Sequence, residues 1–164
     1  MPGTDIVIAP AGDADIDAIH HLESIAFPSP WRREFFEGEL HASGRLALTA
    51  KRNGRLLGYC FAMWFYDEMH VNKIAVDPSA RRQGIAQELM RQCTIFAKSH
   101  GVKSISLEVR QSNDGAQDFY RHLHFAPLYV RPRYYPDGEA AVVMVLSLTD
   151  PPTSPDTPPP ASRP

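Results

Sequence analysis

The sequence predicts a mixed α/β protein of the α+β type, in which one twisted, mostly antiparallel sheet of about six to seven strands is flanked by about four helices. Three observations support this prediction. Asn53-Gly54 separates two strand-like segments and is a strong hairpin-turn signal. A strand, a long amphipathic helix and another strand follow one another between residues 69 and 109. Two further strand-like segments follow residue 125.

Length and composition indicate one domain. The chain has 164 residues, of which 43% are apolar and 10% aromatic, which is enough for one core. The net charge of −2 gives no basic surplus that would favour nucleic acid. The first ten residues do not resemble a secretion signal, and no apolar run is long enough to span a membrane. A cytoplasmic protein without membrane contact is expected, with its two cysteines as buried thiols.

The first half of the chain is predicted to contain two helices and three strands. Asp13 or Asp15 can cap the first helix, because a carboxylate accepts hydrogen bonds from the free N–H groups of a first turn. The prolines of residues 27–31 exclude regular pairing, so this segment is expected to be a loop. The predicted elements are a strand at 5–9, helices at 13–26 and 32–40, and strands at 45–51 and 56–66.

The second half is predicted to contain two helices and four strands. Gly101 is placed to end the long helix. Residues 104–109 alternate strictly, which puts Glu108 on the face opposite the apolar row. Asn113 can cap the last helix. The predicted elements are a strand at 69–76, a helix at 82–100, a strand at 104–109, a helix at 113–122, and strands at 125–131 and 140–148.

The composition changes abruptly at residue 150, and seven of the last fourteen residues are prolines. Such a segment cannot bury enough apolar surface to pack. The predicted organisation is a folded domain over residues 1–149 and a disordered or polyproline-like tail over residues 150–164.

The most informative segment follows the strand-like residues 73–76 and opens the long helix: Arg81-Arg82-Gln83-Gly84-Ile85-Ala86. The first N–H groups of a helix have no intrahelical partner and attract anions, and glycine lets the backbone approach a phosphate closely. Two arginines at a helix N-terminus oppose the macrodipole unless a polyanion is bound there. The segment therefore predicts a phosphate-binding turn.

Three blocks resemble, in order and spacing, the GNAT superfamily of N-acetyltransferases. They are Arg81-x-x-Gly84-x-Ala86, Leu107-Glu108-Val109-Arg110-x-Ser112-Asn113 and Phe119-Tyr120-x-x-x-His124-Phe125. A fourth segment is similar to the ribosomal-protein-alanine N-acetyltransferase group, the RimI type, and to related enzymes that acetylate protein N-termini: Arg131-x-x-Tyr134-Tyr135-Pro136-Asp137-Gly138-Glu139. The resemblance covers about residues 5–148 and implies a GNAT fold.

The resemblance also implies the reaction, which is acetyl transfer from acetyl-CoA to an amine by direct attack in a ternary complex, without a metal. Glu108 would be the general base and Tyr120 the general acid. The strand before the turn would pair with the pantetheine arm like an added strand. The residues implied to hold acetyl-CoA are Ile74, Ala75 and Val76 for the arm, Arg82, Gln83, Gly84, Ile85, Ala86 and Gln87 for the pyrophosphate, and Asn113 for a hydrogen bond to the arm.

Elementary chemistry supports the role of Glu108 as a base more strongly than the role of Tyr120 as an acid. An α-amine with a pKa of about 7.7 to 8.0 is only partly neutral at pH 7, so Glu108 is useful directly or through a water. A phenol of pKa about 10 is a weaker acid than a thiol of about 8.5, so Tyr120 is better suited to hydrogen-bond the leaving sulfur. The N–H of Val76 is a candidate oxyanion donor. The competing interpretation of Glu108 is a solvated strand carboxylate, and that of Tyr120 is a tyrosine packed in the core.

Aromatic residues in two segments are candidates for the acceptor site. Tyr134 and Tyr135 can form one wall of a narrow slot, or they can pack across the strands of a hairpin. Trp31 is a weaker candidate, with packing on the core as the alternative. His124 replaces the family's usual glycine at a chain reversal that favours positive φ, so a strained or shifted turn is expected.

The sequence leaves the acceptor open. A protein N-terminal α-amine is preferred, a lysine side chain or small-molecule amine is the first alternative, and a non-catalytic CoA-binding module with a tail that docks in an SH3-like groove is a different class. Metal, NTPase, dinucleotide and RNA chemistry are disfavoured, because the histidines lack metal-site spacing and no Walker loop, G-x-G-x-x-G or aromatic-basic patch is present. The oligomeric state is not indicated.

Overall fold

The structure, a computed structural model, describes residues 5–149 and contains one seven-stranded sheet with helices on both faces. The strands are β1 (Val7–Pro10), β2 (Arg45–Arg52), β3 (Arg55–Phe65), β4 (Glu68–Val76), β5 (Ser104–Arg110), β6 (Ala126–Arg131) and β7 (Ala141–Ser147), and the helices are α1 (Ile16–Ala26), α2 (Arg33–His41), α3 (Ile85–Ser99) and α4 (Asp114–His122). The predicted fold class is confirmed. The predicted tail lies outside the described residues.

Two cores lie on opposite faces of the sheet, because successive side chains of a strand point to opposite sides. On β3, Tyr59 and Phe61 join the core formed with α1 and α2. The alternate residues Cys60 and Ala62 join the larger core formed with α3 and α4. The sheet is therefore covered on both faces near β3 and β4.

The strand order is β1-β2-β3-β4-β5-β7-β6, and every neighbouring pair is antiparallel except β4 and β5. The parallel pairing joins Glu68–His70 to residues 104–106, and His70 opposite Ser106 is its last pair. Both strands continue for several residues beyond this point without further mutual pairing in the described structure. We call the opening between residues 71–76 and 107–110 the β4–β5 gap.

The hairpin signal is confirmed, since Asn53 and Gly54 both have positive φ, +52° and +79°, as a primed turn requires. Asp15 occupies the N-cap of α1, as predicted, but its side chain caps no N–H group of that helix. Residues 13–15 form a short 3₁₀ turn, in which Asp15 accepts from the N–H of Gly12 at 2.8 Å and its other oxygen lies 2.6 Å from Lys51 Nζ. Both carboxylate oxygens are thus engaged outside the first turn of α1.

The predicted start of the long helix at about residue 82 is also wrong. Arg82 and Gly84 have φ of +63° and +78°, which are left-handed values that an α-helix does not contain. The turn through residues 81–84 precedes α3, which begins at Ile85. The segment still meets the helix N-terminus as expected, but only its last residues are helical.

His124 has φ of +73°, as expected from its place in the chain reversal after α4. Its side chain is exposed, so glycine would relieve the left-handed strain without losing buried contacts. We expect His124→Gly to raise the free energy of unfolding by about 0.5 to 1 kcal/mol in urea denaturation. His122→Gly, two residues earlier inside α4, is the control and should lower it. A destabilised His124→Gly protein would show that the imidazole contributes a contact worth more than the strain.

Candidate active site

A cavity of about 570 Å³ occupies the β4–β5 gap. It is lined by residues 71–74 of β4 and 107–110 of β5, by one face of α4, and by two loops, 27–31 and 134–136. Seven predicted site residues line it together: Trp31, Ile74, Glu108, Asn113, Tyr120, Tyr134 and Tyr135. The other predicted residues, Ala75, Val76 and those at 82–87, do not line it. They continue along β4 and into the start of α3.

The carboxylate of Glu108 lines the cavity and contacts a basic side chain with each of its two oxygens. Its Oε2 lies 2.8 Å from Nε2 of His70, and its Oε1 lies 3.3 Å from Nη1 of Arg131. Burial raises the pKa of Glu108, but the hydrogen bond and charge of His70, together with Arg131, outweigh it, so the net pKa is lowered. The carboxylate is therefore ionised near neutral pH. It can accept a proton from a nearby group, but only as a weak base.

Tyr120 of α4 lines the cavity and is otherwise buried, with only 8% of its surface exposed. Burial raises the pKa of its hydroxyl well above the ordinary tyrosine value, and the neighbouring Cys60 adds to this. A phenol with a raised pKa gives up its proton less readily. The environment therefore suits hydrogen-bond donation at the cavity better than full proton transfer.

Asn113 caps α4 as predicted, because its Oδ1 accepts from the N–H of Ala116 at 3.1 Å. Its amide NH₂ is thus the group left to face a ligand, as a donor. Gln117, one turn further along, is buried and bonds the carbonyls of Arg110 and Gln111 at 3.2 and 2.9 Å. These bonds fix α4 to the end of β5, on which Glu108 lies.

The turn through residues 81–84 before α3, which we call the anion turn, has the properties of an anion site. The first hydrogen bond across it runs from Glu88 N–H to the Gly84 carbonyl at 3.0 Å, so the N–H groups of residues 85–87 precede the helical ladder. A Cβ at Gly84 would meet nothing within 4 Å, so there is open space beside the turn. Arg52 of β2 donates to Gln83 at 2.9 Å and adds a further cation. A pyrophosphate fits these donors and charges.

The loop between β6 and β7 presents two tyrosines to the cavity. The rings of Tyr134 and Tyr135 meet edge to face, 5.0 Å apart. The guanidinium of Arg131 lies 4.6 Å from the first ring, and that of Arg110 lies 4.1 Å from the second. Arg110 also pairs with Asp137 at 2.8 Å and Glu139 at 2.9 Å. The loop, which joins the antiparallel strands β6 and β7, is therefore tied to β5 and lines the cavity.

The loop 27–31 is held by a buried ion pair. Glu23 of α1 is fully buried and accepts from the N–H of Trp31 at 2.8 Å and from the hydroxyl of Tyr59. It pairs with Lys73 Nζ at 3.1 Å. That ammonium lies 3.7 Å from the ring centre of Phe27 and 4.7 Å from the ring of Trp31. The ring of Trp31 also packs on α2, so the packing interpretation applies, while its contact with an acceptor stays a prediction.

We expect Lys73→Met to lower the free energy of unfolding by about 3 kcal/mol, because it leaves a buried carboxylate without its cation. The loop 27–31 should also loosen, because this ammonium contacts two of its rings. Urea denaturation measures the loss of stability. The double variant Glu23→Gln/Lys73→Met is the matched control and should recover part of the stability. Equal losses in the single and double variants would show that the charge pair does not hold the loop.

Three of these residues, Glu23, His70 and Lys73, are not among the predicted site residues. Glu23 did carry a signal, since it follows Ile16 and Ile19 on the buried stripe of α1, where a carboxylate requires a partner. His70 and Lys73 carried none, because their contacts depend on the strand register and on the path of the loop.

The described residues were also compared with the predictions for the cysteines, for metal binding and for membrane spans. Cys60 and Cys93 are buried free thiols, as predicted, with their sulfurs 3.4 Å apart. Between residues 5 and 149, no three side chains of the His, Cys, Asp or Glu type come together as a metal site requires. None of the helices in this range combines the length and apolar character needed to cross a bilayer.

Comparisons with known proteins agree with this geometry. The model of the acetyltransferase (GNAT) family matches residues 16–125. The putative ribosomal protein bS18-alanine N-acetyltransferase of Bacillus subtilis (strain 168) is 33% identical over 138 residues, which are 83% of this chain and 91% of that protein. The ribosomal protein bS18-alanine N-acetyltransferase of Escherichia coli (strain K12) is 33% identical over 141 residues, 82% of this chain and 93% of its own.

The crystal structure of the ribosomal-protein-S18-alanine N-acetyltransferase from Escherichia coli has a similar fold, with a TM-score of 0.83 at 30% sequence identity. The match covers 90% of this chain and 97% of that chain. The family match spans more than half of the chain and includes β4, α3, β5 and α4, the elements that carry Glu108, Tyr120 and the anion turn. The chain therefore belongs to the acetyltransferase (GNAT) family and is an acetyl-CoA-dependent N-acetyltransferase.

Proposed function

We propose that this enzyme acetylates the N-terminal α-amine of a protein, and that the N-terminal alanine of ribosomal protein bS18 is the first acceptor to test. The observation that carries the proposal is the meeting of the Glu108 carboxylate with two aromatic loops, 27–31 and 134–136, around one cavity. Relatives named for this acceptor match more than four fifths of the chain. A ribosomal acceptor would also place the enzyme in the cytoplasm.

The acetyl-CoA site follows from the anion turn and the β4–β5 gap. The N–H groups at the start of α3, with the side chains of Arg82 and Gln83, hold the pyrophosphate across Gly84. The unpaired side of β4 at residues 74–76 pairs with the pantetheine arm, and the amide of Asn113 donates to it. When bound, acetyl-CoA supplies the activated acetyl group and a thiol leaving group.

The acceptor enters between the loops, with Trp31, Tyr134 and Tyr135 contacting its first residues. Glu108 takes a proton from the attacking amine, directly or through a water, and passes it to solvent. The N–H of Val76 donates to the carbonyl oxygen as negative charge develops there. Tyr120 donates a hydrogen bond to the leaving sulfur, and the thiolate then takes a proton from solvent. One proton is thus lost from the amine and one is gained by the thiolate.

The rival acceptors are a lysine side chain and a small-molecule amine. A lysine, with a pKa of about 10.4, is protonated far more fully at pH 7 than an α-amine and would require more from a weak base. Because the net pKa of Glu108 is lowered, the α-amine is the better match.

Mass spectrometry of acetylated peptides tests the acceptor. A pool would contain peptides that begin with alanine or with other residues, each carrying an internal lysine, together with matched peptides whose N-terminus is blocked. Acetylation confined to free α-amines, strongest at alanine, is the expected result. Modification of the lysines in blocked and unblocked peptides alike would contradict the proposal and favour a lysine acceptor. Transfer to small amines alone would also contradict it.

A further inference from the structure

His70 lies at the closed end of the β4–β5 gap, where the last parallel pair joins it to Ser106. Its Nε2 is 2.8 Å from Oε2 of Glu108, and its Nδ1 is 2.9 Å from Oγ of Ser106. The ring is thus held at both nitrogens, with Glu108 two residues beyond Ser106 on the same face of β5. The contact depends on the parallel register of β4 and β5.

The hydrogen-bond pattern defines what the imidazole does in each charge state. As a neutral ring, it donates from Nε2 to the ionised carboxylate and accepts at Nδ1 from the Ser106 hydroxyl. As a protonated ring, it forms an ion pair with Glu108. Arg131 already contacts the other carboxylate oxygen at 3.3 Å, so a second cation would leave Glu108 with a charged partner on each oxygen.

We propose that His70 is a positioning residue of the acetyl-transfer reaction. The neutral imidazole orients the Glu108 carboxylate, and the protonated imidazole prevents that carboxylate from acting as a base. The inference rests on the proposed function, since it assumes that Glu108 takes the proton of the amine. Imidazole is the side chain that ordinarily changes charge between about pH 5 and 8. The reaction should therefore slow in mild acid for a reason that lies in the enzyme as well as in the amine.

The groups that face this pair do not replace His70 in that role. From β5 they are Ser106 and Glu108, and from β6 the group is Arg131, which stays charged throughout this range. The tyrosines of the 134–136 loop stay neutral, since burial raises the pKa of Tyr134 and Tyr135. The residue opposite His70 on β3 is Met63, which does not titrate.

The test compares the pH dependence of kcat for the wild type and His70→Gln between pH 5.5 and 8.5, with acetyl-CoA and the acceptor saturating. Glutamine can still donate to Glu108 but cannot titrate, so the carboxylate stays aimed. We expect His70→Gln to remain within about tenfold of the wild type at pH 8 and to lose much less of its rate by pH 6. The wild type should lose at least about fivefold more over the same interval.

His100→Gln is the matched control, because His100 lies at the far end of α3 and stacks on Phe96. Its profile should follow the wild type, and the amine's own titration is common to all three proteins. Parallel profiles for His70→Gln and the wild type would overturn the proposal. If glutamine disturbs the fold, His70→Asn, whose amide also donates without titrating, is measured in its place, and a profile parallel to that of the wild type would equally overturn the proposal.

The acceptor assay separates this inference from the proposed function. Transfer only to lysine or to a small amine would remove the α-amine acceptor, and the profiles would then be measured with that amine. An unaltered rate in Glu108→Gln would instead remove the base itself, and the proposed role of His70 with it.

Discussion

Gly84→Glu is expected to abolish acetyl-CoA binding, with a loss of affinity of at least about 100-fold. The position has φ of +78°, and a Cβ there would meet nothing within 4 Å, so the new side chain projects into the space beside the free N–H groups of α3. A carboxylate at that point occupies the anion site and repels the pyrophosphate, and two like charges in close contact at a protein surface cost several kcal/mol. The backbone strain adds only about 1 to 2 kcal/mol to the cost of folding.

Isothermal titration calorimetry with acetyl-CoA measures this effect, and Gly101→Glu is its matched control. Gly101 follows the other end of α3, has φ of +75° and also has open space at its Cβ. The two variants thus share the residue change and the strain, but only one faces the proposed pyrophosphate. Comparable acetyl-CoA affinity in both proteins would show that the cosubstrate phosphates bind elsewhere.

Glu108→Gln is expected to lower kcat by about 100-fold or more, since general-base assistance contributes about 10² to 10⁴ in rate. Glutamine keeps the size of the side chain and one acceptor oxygen, but it has no carboxylate to accept the proton. Affinity for acetyl-CoA should hardly change, because Glu108 lies on β5 and the anion turn precedes α3. The defect should therefore appear in turnover and not in binding.

Initial-rate kinetics at saturating acetyl-CoA checks this expectation, with Glu68→Gln as the control. Glu68 is an exposed carboxylate at the start of β4, in the same sheet, and should be replaceable without loss of turnover. Turnover in Glu108→Gln equal to that of the wild type from pH 6 to 9 would exclude Glu108 from the mechanism.

Glu108→Gln should also change the free energy of unfolding in a way that depends on pH. Since the folded-state pKa of Glu108 is lowered by His70 and Arg131, its carboxylate stabilises the native state at neutral pH. That contribution is complete above the unfolded-state pKa, which is about 4.3 for glutamate, and it is lost as the pH falls through the lowered pKa. The difference in unfolding free energy between the wild type and Glu108→Gln should therefore be present near pH 7 and shrink below about pH 4. A difference that grows below that pH would show that the interaction has the opposite sign.

Local signals were sufficient for most of the fold. The hairpin at Asn53-Gly54, the cap at Asn113 and the alternation of β5 each depend on neighbouring residues, and all three occur as predicted. Two details differ from the prediction. The carboxylate of Asp15 binds Gly12 and the distant Lys51 and not the first turn of α1. Two left-handed residues, Arg82 and Gly84, delay the start of α3.

The sequence by itself determined the fold class and the family, and it supplied three candidates for the site, namely the anion turn, Glu108 and Tyr120, because these depend on local spacing and side-chain chemistry. Only the tertiary structure decided that β4 and β5 separate beyond His70, and this separation forms the cavity. It also decided the partners of the charged groups, namely His70 and Arg131 for Glu108 and Lys73 for Glu23. These contacts join residues that are distant in the chain, so their formation depends on strand register and loop packing, which no short stretch of sequence specifies.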